Sequence, residues 1–189
     1  GVTTGLVNEN KVVALIKETS FTSAPVTSFW DIFPISETQL VKNLMEEGIE
    51  VIGREQVREM VSETTVLNAI KGDLKSARSI GLKTGADIVI VGTALSSLRG
   101  KTAVEEIKTV QANINVKVVS TLESSLIAAK TDFSTIKHEH ALQAELEAFD
   151  NASEKLADFL IPSFHRYWEK GVEAPVKKFP EAPPLSMTD

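Results

Sequence analysis

The stretch TGADIVIVGTALSS, Thr84 to Ser97, decides the fold of this chain. A glycine, an alanine and an acid lead into four apolar β-forming residues, and a glycine and a threonine follow them. Such a stretch either opens a nucleotide-binding strand–helix unit or is a strand with no chemistry of its own. The flanking residues distinguish these alternatives, because the nucleotide-binding unit requires a helix directly after the strand.

The residues that follow predict further strands instead of a helix. From Val110 to Val118 every second residue is apolar and the residues between are polar, which is typical of a half-exposed antiparallel strand. A turn near Glu123–Ser125 leads to a return strand at 126–136, so the two form a hairpin. Apolar residues at helical spacing then predict a last helix that runs to about Ile161, where Pro162 should kink or end it.

The residues that precede the stretch predict a strand–helix–strand unit and two more helices. Their expected positions are a strand at Lys11–Ile16, a helix capped by Ser36 and stopped by Gly48, a strand at Ile49–Ile52, and helices at Arg54–Ser62 and Asp73–Leu82. The sequence therefore predicts an α/β fold with a mixed sheet of about five strands, covered by helices. We expect a lead-in at 1–10, a single α/β domain at 11–170 and a proline-rich tail at 171–189.

In this arrangement two glycines of the quoted stretch have structural roles. Gly85 is expected to end the preceding helix, and Gly92 is expected to allow a close neighbour or a bulge in the strand. On this interpretation the stretch is not a phosphate-binding loop.

Composition excludes several classes of protein. The chain has 189 residues, a formal net charge of −6 and no cysteine. An acidic chain lacks the basic stripe of nucleic-acid-binding domains, and the absence of cysteine excludes thiol catalysis and cysteine-based zinc sites. No apolar run is long enough to span a bilayer as a helix. The chain begins at Gly1, so we expect any signal peptide to have been removed.

Two short motifs suggest chemistry, but each has a structural alternative. Gly100-Lys101-Thr102 ends like a phosphate-binding loop, yet Leu95 stands where the first glycine is needed and no helix follows. We interpret it as a hairpin tip. His138 and His140 lie two apart, so in a strand both imidazoles could bind one metal, although no third ligand is evident. The alternative is a polar strand-to-helix junction, and the sequence predicts no metal, no cofactor and no catalytic residue.

Aromatic residues are concentrated between the first strand and the first helix. Phe21, Phe29, Trp30 and Phe33 lie in a segment with neither helical nor strand periodicity. They either fold back as a lid on the core or form an exposed anchor for a protein partner, because interface centres are enriched in aromatic residues. The tip near Leu98–Thr102, with Arg99 and Lys101, is a second candidate contact.

Three blocks resemble a group of bacterial cell-envelope domains. They are LMEEGIEVIGREQVREMV at Leu44–Val61, ARSIGLKTGADIVIVGTALSS at Ala77–Ser97, and the hairpin INVKVVSTLESSLIAAKTDF at Ile114–Phe133. In this order they resemble the TolB amino-terminal domain, the curli lipoprotein CsgG, the penicillin-binding-protein activators and the middle domain of FlgT. The glycine–alanine–aspartate run and the later Gly92 match the strand signature of those families, over about Lys11 to Pro162.

The resemblance implies a TolB-N-like or anticodon-binding-domain-like fold and a function. It implies a non-enzymatic, protein-binding lipoprotein or periplasmic module in secretion, flagellar or cell-wall assembly, attached to the outer membrane or free in the periplasm. It identifies no partner-binding residues. One alternative is an enzyme or small-ligand domain that uses the crevice at the carboxyl ends of the buried strands, near Ile16–Lys17 and Ile52–Gly53. Another is a subunit of a ring or pore, built from the amphipathic hairpin.

Overall fold

The fold is a five-stranded mixed sheet with helices on both faces, seen in a computed structural model that describes residues 10–101 and 106–171. The elements follow in the order β1 (Lys11–Thr19), α1 (Ile35–Glu46), β2 (Glu50–Ile52), α2 (Arg54–Met60), α3 (Glu63–Ile70), α4 (Leu74–Thr84), β3 (Ile88–Lys101), β4 (Lys108–Ser120), β5 (Ser125–His138) and α5 (Ala141–Gly171). The predicted fold class is confirmed. The expected lead-in and most of the proline-rich tail lie outside the described residues.

Most of the quoted stretch belongs to β3, which lies at the centre of the sheet. The strand order is β2-β1-β3-β4-β5, in which β1 pairs in parallel with β2 and β3, while β3, β4 and β5 pair antiparallel. The Ile88–Val91 run is buried on both faces, as a continuous apolar run requires. Beyond Val91, β3 continues to Lys101, ten residues further than expected from the apolar run alone.

Both predicted glycine roles in this stretch are confirmed. Gly85 ends α4 in the left-handed conformation, with φ of 84° and its N–H donating to the Gly81 carbonyl at 2.8 Å. At Gly92 an added Cβ would lie 2.0 Å from the carbonyl oxygen of Asn115 on the neighbouring strand. The interpretation of Gly100-Lys101 as part of the hairpin also agrees with the pairing, because these residues pair with Thr109 and Lys108.

The core has two layers, one on each face of the sheet. On one face α1 and α5 cover alternate residues of the strands, and Leu40, Leu44, Phe149, Leu160 and Phe164 fill this layer. On the other face the short helices α2, α3 and α4 cover β1, the start of β3 and the end of β4. Among the described residues, no helix has both the length and the apolar character needed to cross a membrane.

Three local expectations differ from the structure. Residues 63–70 lie between two of the predicted helices and were assigned no element, but they form α3, which Ser62 caps by accepting the Thr65 N–H. The last helix continues through Pro162 to Gly171 instead of stopping near Ile161, and beyond the proline Phe164 is fully buried. Ser36 is not the cap of α1, because Pro34 occupies that position and Ser36 lies within the first turn.

Candidate functional site

The aromatic loop, residues 20–34, lies over the carboxyl end of β1 and is the candidate site. Two of its aromatic side chains face the protein. Phe29 is 2% exposed and packs edge-on against Trp30, with ring centroids 5.1 Å apart. Arg54 stacks over the Phe29 ring, with its guanidinium carbon 4.0 Å from the ring centre. Phe29 is therefore a core residue in the structure.

The remaining two aromatics of the loop lie in different surroundings. Phe21 is partly buried against the α1 and α5 layer of the core. Phe33 is 92% exposed, and no other large apolar side chain among the described residues has so high an exposed fraction. The loop is thus a lid at Phe29 and an exposed apolar surface at Phe33, which combines both interpretations of the sequence.

Carboxylates from distant elements hold the loop in place. Glu63 at the start of α3 accepts the Phe29 N–H at 2.7 Å. Glu145 of α5 is fully buried and accepts hydrogen bonds from the hydroxyls of Thr22, Ser20 and Ser96, the first at 2.6 Å. Charge-assisted bonds of this kind are about twice as strong as neutral ones, so the first half of the loop is fixed to α5 and its middle to α3.

Glu18 fixes the end of the loop. Its carboxylate accepts the backbone N–H groups of Ile35 and Ser36 at 3.0 and 2.7 Å, and the Ser36 hydroxyl at 2.7 Å. These are free N–H groups of the first turn of α1, where a carboxylate is also stabilised by the helix dipole. Burial raises the pKa of the Glu18 carboxyl, although the bonds from Ser36 and Ile35 lower it. Glu18 thereby replaces the side-chain cap that Pro34 cannot supply.

A buried ion pair lies beneath the loop. Glu37 and Arg54 have side chains that are only 7% and 13% exposed, and their charged groups are hydrogen-bonded to each other. Glu37 also accepts the Ile16 N–H at 2.9 Å, and Arg54 donates to the Phe29 carbonyl at 2.6 Å. Burial raises the pKa of Glu37 to about 7 although Arg54 lowers it, and burial likewise lowers the pKa of Arg54. Desolvation therefore outweighs the mutual attraction of the pair.

Two grooves border Phe33. One has a volume of about 280 Å³ and lies between the end of β1 and the loop segment 23–26. The other has a volume of about 380 Å³ and is lined by α1, Arg54 and Leu146 of α5. Phe33 and Ile32 line both grooves, so the exposed ring stands on the ridge between them. We call Phe33, Ile32, Val26 and the two grooves the Phe33 surface.

The other residues singled out in the sequence lie elsewhere. Arg99 is exposed and lies where the β3–β4 pairing shifts register, and Lys101 ends β3. Both lie on the extension of β3 towards the hairpin and not in the aromatic loop. His138 and His140 have ring centroids 5.5 Å apart, and His138 Nδ1 accepts the His140 N–H at 2.9 Å. No third metal-ligating side chain joins them in the part of the chain that the structure describes.

The chain has low similarity to several solved structures. The hypothetical protein CT253 from Chlamydia trachomatis is 11% identical, with a TM-score of 0.51 over 84% of this chain and 98% of that chain. The PelC dodecamer from Paraburkholderia phytofirmans is 13% identical, with a TM-score of 0.41 over 76% of this chain and 84% of that chain. The LpoB C-terminal domain from Salmonella enterica is 10% identical, with a TM-score of 0.35 over 66% of this chain and 81% of that chain.

Sequence comparison identifies the family. No curated protein matches this chain at a significant level. The family model described as TP0693-like lipoprotein, C-terminal domain, matches residues 33–161, which is more than half of the 189 residues. The resemblance to envelope proteins is thus confirmed at the level of a bacterial lipoprotein domain, and the matching family is neither TolB nor CsgG. The chain belongs to the TP0693-like lipoprotein family, whose C-terminal domain it contains, and is a module of the bacterial cell envelope.

Proposed function

We propose that this domain binds a protein partner in the cell envelope and that Phe33 is the central contact. The observation that carries the proposal is a phenylalanine that is 92% exposed on a loop held by the buried carboxylates of Glu18 and Glu145 and the half-buried one of Glu63. In this proposal the domain is non-enzymatic and lies in the periplasm or at the outer membrane. Its partner belongs to secretion, flagellar or cell-wall assembly.

The exposed ring offers binding energy at little entropic cost. A buried aromatic side chain removes about 150–250 Å² from water, and each Å² of apolar area contributes about 25 cal/mol. An exposed aromatic on a flexible loop would lose part of this gain when the loop becomes ordered on binding. The bonds of Glu18, Glu63 and Glu145 order this loop in the free protein. A partner therefore meets a preformed ridge.

The shape and chemistry of the Phe33 surface indicate the kind of partner. The ridge is apolar at Phe33, Ile32 and Val26, whereas the exposed carboxylates Asp31 and Glu55 each line one of the grooves. A partner segment that places apolar side chains into both grooves would cover Phe33 from two sides. An apolar centre with a polar rim is the usual anatomy of such an interface.

Phe33→Ala is expected to weaken partner binding without affecting the fold. Because Phe33 is exposed, the free energy of unfolding should change by no more than about 0.5 kcal/mol. Loss of a central aromatic contact costs about 2 kcal/mol or more, which corresponds to an affinity at least about 30-fold lower. The measurement is capture from detergent-solubilised envelope of the source cell, followed by titration of the purified captured protein.

Two further variants serve as controls for this experiment. Leu122→Ala removes a different apolar side chain, 53% exposed on the turn between β4 and β5, and should capture the partner normally. Phe29→Ala removes a buried ring and should lower the free energy of unfolding by about 3–5 kcal/mol. Equal affinity of wild type and Phe33→Ala for the captured protein would contradict the proposal.

A second candidate function is small-ligand binding in the groove at the carboxyl end of β1. The favouring observation is the 280 Å³ groove lined by Lys17, Glu18, Thr19 and Ser20, at the sheet edge where α/β folds often bind ligands. Its volume is slightly below the usual range of roughly 300–1,000 Å³. A panel of nucleotides, sugars and metal ions that leaves the unfolding temperature unchanged would exclude it, since a ligand of the folded state raises stability.

A further inference from the structure

One region of the sheet is not covered by helices. The helices α2, α3 and α4 pack over Val13, Val89 and Val119, near one end of the strands. Towards the other end, alternate residues of four neighbouring strands face the same side and are exposed or half-buried. This open sheet face consists of Lys17, Thr19, Thr93, Leu95, Ser97, Gln111, Asn113, Asn115, Lys117, Ala129, Thr131, Phe133, Thr135 and Lys137.

The charge of the open sheet face is opposite to that of the chain. The formal net charge of the chain is −6, yet none of these side chains is acidic. The charged ones are Lys17, Lys117 and Lys137, and none of the ion pairs among the described residues involves them. From α5, Lys155 reaches round the edge strand and lies 5.6 Å from the Phe133 ring centre, which adds a cation at the rim. The face therefore attracts anions.

The centre of the face consists of amides and hydroxyls. Asn113 accepts from the Gln111 amide at 3.1 Å, and the Asn115 amide donates to Thr131 at 2.7 Å. These bonds orient the amides but use only part of their capacity, because each amide has two donors and an acceptor with two lone pairs. A shallow depression of about 390 Å³ lies beside them, bordered by Lys17 and Leu95. The face thus offers oriented donors and acceptors on a flat surface.

We propose that the open sheet face binds an acidic cell-wall glycan, a polysaccharide whose sugars or attached peptides carry carboxylates. Sugar hydroxyls are both donors and acceptors, as the amides and threonines of the face are, and Leu95 and Phe133 can cover the apolar sides of sugar rings. The lysines pair with the carboxylates. The open sheet face differs from the Phe33 surface, although Lys17 and Thr19 at its border also line one of the grooves beside Phe33.

Other occupants fit the face less well. Recruitment to an anionic membrane relies on clusters of about four to eight basic residues, whereas the three lysines of the face lie on three different strands and Lys155 at the rim is on α5. Nucleic-acid binding likewise requires more basic side chains in contact with phosphates than this face provides. A protein interface would have aromatic or arginine side chains at its centre, where this face has asparagine, glutamine and threonine.

The test is co-sedimentation of the protein with purified peptidoglycan sacculi. We expect binding that falls at least tenfold when the carboxylates of the sacculi are amidated, and that also falls at least tenfold in Lys117→Glu/Lys137→Glu, two lysines that line neither groove beside Phe33. The matched control is Lys42→Glu/Lys170→Glu, which changes net charge equally on helices of the opposite face and should bind within about twofold of wild type. Phe133→Ser should bind several-fold more weakly.

Several results would overturn the proposal. These are no binding of wild type to native sacculi, equal binding to amidated sacculi, or equal losses in the two double-lysine variants. Binding only to vesicles that contain phosphatidylglycerol would assign the face to the membrane instead. A wild-type dimer that the Lys117→Glu/Lys137→Glu variant abolishes would assign it to a second copy. Phe33→Ala should sediment with sacculi as wild type does. The glycan-binding proposal and the protein-binding proposal can therefore be contradicted separately.

Discussion

Gly92→Ala is expected to destabilise the fold strongly. The added Cβ would lie 2.0 Å from the Asn115 carbonyl oxygen and 2.9 Å from the Val116 Cα. Both are backbone atoms of β4, so no side-chain rotation can relieve the contact. Strands β3 and β4 would have to separate at Gly92 and would lose some of the hydrogen bonds between them. We expect a loss of at least about 3 kcal/mol, at the upper end of overpacking effects and a large part of the stability of a typical domain.

Gly100→Ala is the matched control in the same strand. No atom lies within 4 Å of a Cβ added there, so the free energy of unfolding should change by about 0.5 kcal/mol or less. Chemical denaturation of both variants, followed by circular dichroism, compares them directly. Similar midpoints for Gly92→Ala and wild type would contradict the close approach of β3 and β4.

The local pattern around β3 was sufficient to predict its position in the fold. A continuous apolar run predicts a strand buried on both faces, and the strict alternation of β4 predicts a half-exposed partner. Gly85, after α4, fulfils a local backbone requirement, so its role is visible in the sequence. Gly92 is different, because a glycine within a strand pattern indicates a close neighbour but does not identify the Asn115 carbonyl as that neighbour.

The errors concern elements that depend on distant contacts. α3 contains two adjacent threonines, which have low helix propensity, and its formation depends on burying Val66 and Ala69 against the sheet. In α5 the helix continues past Pro162 because Phe164 is buried and the indole N–H of Trp168 donates to Asp87 at 2.7 Å. Tertiary packing thus outweighs a local signal that usually ends a helix.

The candidate site could be located from the sequence but not resolved into its parts. A cluster of aromatics in a loop indicated the segment, whereas the separation of buried Phe29 from exposed Phe33 could not be inferred. That separation depends on Glu63, which is 34 residues from Phe29, and on Glu145, which is 123 residues from Thr22. No local spacing marks a glutamate as the buried acceptor of such a bond.

The free energy of unfolding is expected to decrease as the pH rises from about 4.5 to 7. Burial raises the pKa of Glu37 to about 7 from its ordinary value of 4.5. Burial also raises the pKa of Asp87 to about 6 from 3.8, although the bond from Trp168 lowers it. Asp87 is 3% exposed, and its Oδ1 is buried without a hydrogen-bond partner among the described residues. Ionising either carboxyl inside the fold is therefore unfavourable.

The direction of this pH dependence follows from the protons that the folded and unfolded states bind. Between its unfolded and folded pKa each carboxyl holds its proton in the folded protein but releases it in the unfolded chain, so rising pH favours unfolding. The stabilisation that each raised pKa contributes is fully present below the pKa of the unfolded chain, and it is lost as the pH rises past the pKa of the folded protein. For Glu37 the difference between 4.5 and about 7 corresponds to about 3 kcal/mol, and Asp87 adds a similar amount. Below about pH 4 the lowered pKa of Asp73 acts in the opposite direction.

The double variant Glu37→Gln/Asp87→Asn is expected to remove most of this slope. Glutamine keeps an oxygen acceptor for the Ile16 N–H and Arg54, and asparagine keeps one for the Trp168 indole. The quantity compared is the slope and not the absolute stability, because Glu37→Gln also removes the counter-charge of Arg54. Urea titrations at pH 5, 6.5 and 8 measure the slope, with Glu154→Gln, an exposed α5 carboxylate, as control. A wild-type stability that rises from pH 5 to 8, or an unchanged slope in the double variant, would show that these two carboxyls do not control the pH dependence.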